Sequence, residues 1–111
     1  MSLTPSQCVE NANSDIKHRK YWYLKAVQYG NVGKSSEDFK NSAIDLALRS
    51  LADIYLDEKD YQGTYRIMVM VMFRMEKNNI PTKMVKDVLS MLEHKIKDVL
   101  SMLEHKIMLS N

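Results

Sequence analysis

Residues 67–75 read IMVMVMFRM, and Ile67 through Phe73 form an unbroken apolar run. Wound as a helix, such a run leaves no polar face, so it must be covered on several sides. A bilayer span takes roughly 20 apolar residues, which this run does not reach. The expectation is the central helix of a small all-α body.

The flanking residues supply the boundaries of that helix. Asp60 is placed to cap a start at Tyr61, and Glu58-Lys59 makes a tight turn before it. Pro81 disfavours helical geometry at Ile80, so the helix stops near Lys77 and Thr82 caps the next one, over about residues 83–109. Upstream, Ser35 is an N-cap candidate followed by Glu37 and Asp38, which favour the positive end of the helix dipole. Phe39, Ala43, Ala47, Leu51 and Ile54/Tyr55 form the inward stripe of that helix, running to about Asp57. Leu46, Leu48 and Leu56 widen the stripe, which implies two packing partners.

At the N-terminus, Thr4-Pro5-Ser6-Gln7 has the form of a capping box with Pro in the first turn. Ser14-Asp15 offers a second start, so residues 5–13 are either a short separate helix or part of one longer piece. Val9, Ala12, Ile16, Tyr23 and Val27 recur at helical spacing on one face, and Gly30 is placed to end the helix as a left-handed C′ residue. Residues 31–34 then read as a loop.

Composition agrees with a helical globular chain. Its 111 residues suit one domain, 45% are apolar and 27% charged, and only three Gly and two Pro occur. No stretch alternates like a strand between turn clusters. Residues 1–8 have neither a basic nor an apolar signal region, and the lone Cys8 fits a reducing compartment, so the expected location is cytoplasmic. The net charge of +2 argues for no partner by itself, but it is unevenly spread. Lys17, Arg19, Lys20, Lys25 and Lys34 cluster without an acid, whereas residues 37–60 are acid-rich. High Lys, Asn and Ile content with little Gly or Pro fits an AT-rich genome of the bacterial, phage or viral kind.

The last helix carries a repeat. Residues 86–96 and 97–107 both read KDVLSMLEHKI, a perfect tandem copy, natural or engineered. Eleven residues make close to three helical turns, so the copy keeps its face and lengthens the helix by about 16 Å. Leu89, Leu92 and Ile96 continue into Leu100, Leu103 and Ile107, with Val99 beside them. Shorter neighbouring helices cannot cover that stripe, so several of Val99, Leu100, Leu103 and Ile107 should overhang. An exposed apolar stripe usually finds a partner, and the expectation is a homodimer, by antiparallel pairing or exchange of this helix.

Chemistry-bearing motifs are sparse. Gly30-Asn31-Val32-Gly33-Lys34-Ser35 has the tail of a phosphate loop, but Gln28 stands where the first glycine belongs and a helix precedes it. His94 and His105 are repeat equivalents about 16 Å apart, too far to share a metal within one chain. Cys8 has no His in a nucleophile motif, and Asp57, Glu58 and Asp60 lack the glycine and distal Glu of a calcium loop. No catalytic site, cofactor or metal is expected, and the chain reads as a non-enzyme. The other candidate surface is KHRKYWYLK, residues 17–25. Lys17, Arg19, Lys20 and Lys25 could track phosphates while Trp22 or its tyrosine neighbours stack on unpaired bases.

Residues 47–61, ALRSLADIYLDEKDY, resemble the first helix and turn of a tetratricopeptide-type repeat, with Leu48, Leu51, small Ala52, Tyr55 and then Tyr61. Residues 21–31, YWYLKAVQYGN, resemble the second helix of a related unit. Thr64 and Met68 stand where that family carries small and aromatic residues. The resemblance implies helical hairpins and a peptide- or protein-binding role. The leading expectation is thus an all-α bundle or hairpin array of about four helices with an over-long last helix. Its role is protein–protein contact and self-association through Leu89, Leu92, Ile96, Val99, Leu100, Leu103 and Ile107. The alternative is a helical nucleic-acid-binding regulator using the basic-aromatic segment.

Overall fold

A computed structural model describes residues 3–32 and 42–110. The chain is all-α: α1 (Pro5–Ser14), α2 (Arg19–Val32), α3 (Ser42–Asp57), α4 (Tyr61–Lys77) and α5 (Lys83–Ser110), with a 3₁₀ turn at Ile16–His18. No strand occurs among the described residues. Each helix packs mainly on its sequence neighbours, and α1 also reaches α3. The result is an elongated stack, 54 × 35 × 19 Å, ending in α5 as its outermost layer.

The caps follow from the local sequence. Thr4 Oγ1 accepts from the Gln7 amide at 3.2 Å and Gln7 Oε1 accepts from the Thr4 amide at 2.8 Å, a complete capping box. Asp60 Oδ1 accepts from the Gly63 amide at 2.9 Å and opens α4. The Thr82 carbonyl accepts from the Lys86 amide at 2.9 Å at the start of α5. Both hairpin turns close with the same pair of C-terminal bonds. After α3, Lys59 N bonds Leu56 O and Asp60 N bonds Tyr55 O; after α4, Asn79 N bonds Glu76 O and Ile80 N bonds Met75 O. The residue turned left-handed is Lys59 (φ 58) in one and Asn79 (φ 57) in the other.

The core corrects the expectation of α4 as the central helix. The fully buried large side chains are Ile44, Leu48 and Leu51 of α3, joined by Cys8 of α1. Around them lie Val9 and Ala12, then Tyr23, Ala26 and Val27, and from α4 Ile67, with Met70 and Val71 partly buried against the cluster. The run at 67–73 divides its cover between α3 and α5, and Phe73 remains 55% exposed. Three further expectations are overturned. Leu46 and Leu56 are exposed and do not widen the inward stripe. Ile16 is 71% exposed because the helix breaks at Asp15 (φ −118, ψ 72) and the 3₁₀ turn rotates it outward. Gly30 does not end α2, which continues to Val32. The expected starts at Ser35 to Asp38, the phosphate-loop residues Gly33 to Ser35, and Phe39 lie outside the described residues.

Gly30 is needed for close approach rather than for a turn. A Cβ built there would meet Ile44 Cγ1 at 2.7 Å, with Cδ1 nearer still, inside the packed α2–α3 contact. Alanine would gain about 1 kcal/mol of helix propensity but overpack the site at about 1–3 kcal/mol. Gly30→Ala should therefore lower the unfolding free energy by up to about 2 kcal/mol in urea melts. Adding Ile44→Val, which removes Cδ1, should recover part of that loss. A single variant more stable than wild type would mean that α2 and α3 can part without cost. Lys59→Gly should instead raise stability by about 1 kcal/mol, since glycine accepts the left-handed turn without strain.

Candidate functional site

The first repeat of α5 is seated on α4. Val85, Leu89 and Leu92 are buried there. Tyr65 Oη donates to Glu93 Oε1 at 3.0 Å, a bond that pushes the Tyr65 phenol above its ordinary value of 10.0. Lys95 Nζ lies 5.8 Å from the Tyr61 ring centroid, at the N-terminal end of α4.

Past that level α4 has ended, and among the described residues only 59–62 still border α5. The duplication makes the consequence readable residue by residue. Leu89 is 7% exposed and its equivalent Leu100 is 49%; Leu92 is 5% exposed and Leu103 is 51%. Ile96 is half-buried whereas Ile107 is 62% exposed. Val99 is also exposed. One sequence thus occurs twice, once against a helix and once against solvent. Its exposed residues Val99, Leu100 and Leu103, together with Ile96, line a shallow groove shared with residues 59–62 at the α3–α4 turn and the start of α4.

The basic-aromatic segment is drawn in several directions. At about 100° per residue, Lys20 and Lys25 point about 140° apart around α2. Lys20 reaches the end of α3, where its Nζ is 2.7 Å from Glu58 Oε1 and 4.5 Å from the Tyr55 ring centroid. The Glu58 bond raises the Lys20 pKa. Lys25 lies over the rings of Tyr21 and Tyr29 at 5.7 and 5.9 Å. Trp22 packs against the core and donates from Nε1 to Asp15 Oδ2 at 3.3 Å. Lys17 and Arg19 are exposed. The segment therefore contributes two structural ties and a divided outer face.

The role of Asp15 had no motif to announce it. Its carboxylate closes the α1–α2 corner, bonding His18 Nδ1 at 3.0 Å as well as Trp22. The His18 bond, then the Trp22 bond, lowers its pKa from 3.8. Cys8 is a core thiol whose pKa burial raises, so it is held in its unreactive form. Between α3 and α4, Arg74 Nε bonds Asp45 Oδ1 at 2.8 Å beside a cleft reaching Met75 and Ile80. Among the described residues no three His, Cys, Asp or Glu side chains converge to hold a metal. Among the same residues no helix is long and apolar enough to cross a membrane. No family model, curated protein or solved structure matches the chain.

Two measurements test this geometry. Leu92→Ala should cost about 2–5 kcal/mol of monomer stability, as deletion of a buried leucine does. Its repeat equivalent Leu103→Ala should cost under about 0.5 kcal/mol at concentrations too low for association. Equal costs would mean that both repeats are seated. Because the folded Asp15 pKa is depressed, its contribution is present above 3.8 and lost as pH falls through the folded value. Unfolding free energies measured from about pH 5 to about pH 3 should fall less steeply for Asp15→Asn than for wild type. Parallel curves would remove Asp15 from the corner.

Proposed function

We propose that this chain is a small non-enzymatic protein–protein interaction and regulatory protein that self-associates through the second repeat of α5. The reading is supported chiefly by the contrast between equivalent residues. Leu89 and Leu92 are buried against a helix, while Leu100 and Leu103 carry the same neighbours and remain half in solvent. A stripe already suited to a helical partner is thereby displayed without one among the described residues, and contiguous exposed apolar surface of this kind marks interaction sites. The ties made by Lys20 and Trp22 account for two of the residues that a nucleic-acid reading would need at the surface.

Solution mass by light scattering on a sizing column tests the proposal, with the full chain compared to one lacking residues 97–107. A concentration-dependent dimer for the full chain and a monomer for the deletion is expected. A dimer in both would move the interface off the second repeat. A monomer in both at several hundred micromolar would remove self-association.

A further inference from the structure

We propose that two protomers join their second repeats side by side and antiparallel, about a twofold axis that passes between Ser101 and Met102. The proposal rests on the self-association reading and specifies its partner and register.

The stripe itself has the required symmetry. Ile96, Leu100, Leu103 and Ile107 are spaced four, three, four, which reads the same in both directions about the midpoint of residues 101 and 102. Reversing the helix about that point sets Ile96 opposite the partner's Ile107 and Leu100 opposite the partner's Leu103. A twofold interface demands a self-complementary patch, and this one is so by its spacing.

Charge follows the same register. Taking about 100° per residue, Lys97 and Glu104 fall on one flank of the stripe, and Val99 and Lys106 on the other. Antiparallel pairing brings like flank to like flank, so Lys97 lies within about 3 Å of the axial level of the partner's Glu104. The twofold makes this pair twice. On the other flank the stem of Lys106 covers the partner's Val99, as long basic side chains commonly do at such edges.

The fold also excludes the parallel alternative on steric grounds. α4 lies on the stripe side of the first repeat. A parallel partner would bring its own α4 into the same gap at the same height, where adjacent helices leave room of only about 8–10 Å between axes. An antiparallel partner carries its α4 to the opposite end. It then runs in the direction of α4 and repeats the antiparallel geometry in which α5 already packs. Its Met108 and Leu109, exposed in the single chain, reach the level of Lys95 and His94, beside Tyr61 at the start of α4. The contact is about three turns long, a small interface of the class below about 1,200 Å², so the dimer should be transient with a micromolar dissociation constant.

Two readouts on the full chain test the arrangement. Nitroxides attached through Ser90→Cys, an exposed position on the first repeat, report the register. Wild type, whose one thiol is buried, serves as the labelling blank. The antiparallel pair separates the two labels by about 35–40 Å in pulsed dipolar measurements. Parallel pairing would give about 20 Å or less and overturn the proposal while leaving self-association intact. So would exchange of the whole helix, if the distance departed from the antiparallel value. In the second test, Lys97→Glu should weaken the dimer by about three- to tenfold, and Lys97→Glu with Glu104→Lys should restore it. Parallel helices would set residue 97 against the Lys106 flank, so Lys97→Glu tightening the dimer would also overturn it. A chain monomeric at several hundred micromolar would dispose of both the pairing and the reading beneath it.

Discussion

The mismatch in length between α4 and α5 governs what this molecule shows to its surroundings. α4 has 17 residues and α5 has 28. At about 1.5 Å per residue these are about 25 Å and about 42 Å, and α5 packs chiefly on α4. Among the described residues only 59–62 border the remainder, and Leu100 and Leu103 stay about half exposed beside them. A bundle with helices on all sides could fold the surplus into a second contact. In this stack α5 is the outermost described layer, with α4 as its main neighbour. The exposure of residues 99–107 is therefore a property of the stacking order as much as of their own sequence.

The same order explains which parts of the fold were legible in the sequence. Three helix starts were, because they are set by chemistry confined to a few residues: Thr4 with Gln7, Asp60 with Gly63, and Pro81 ahead of α5. Rank within the stack was not. Seven apolar residues in a row suggest a central helix, yet α4 meets its neighbours on two faces and leaves Phe73 outside. The centre is α3, whose Ala43 and Ala47 let adjacent helices come close while Ile44, Leu48 and Leu51 fill the space. Gly30 shows the limit most clearly. Its position near the end of a periodic pattern reads as a cap, and only the approach of Ile44 from another helix gives it its real purpose.

At the surface, the repeat was readable because duplication acts as an internal control, whereas the basic-aromatic segment was not. Lys20 is matched by Glu58, and Trp22 by Asp15 and the core, through contacts that no linear pattern encodes. Asp15 looks like an ordinary cap candidate in sequence. In the fold it is the acceptor that joins the 3₁₀ turn to α2, a function created by the bend that carries His18 and Trp22 to the same carboxylate.

The length of the repeat is what allows a duplicated segment to keep its chemistry. Eleven residues advance the helix by about 1,100°, only about 20° past three full turns. An apolar stripe spans about 100° or more, so the second repeat presents the face of the first with little rotation. A duplication of ten or twelve residues would swing the stripe by about 80–120° and align the second face with a different direction. Placed at the exposed end of α5, the added turns also lie outside the buried cluster of α1–α4. The segment thus repeats a face already matched to a helix running the way α4 runs, and displays it where α4 no longer reaches. A helix arriving in that same direction would meet, in Leu100 and Leu103, the repeat equivalents of the Leu89 and Leu92 that α4 buries.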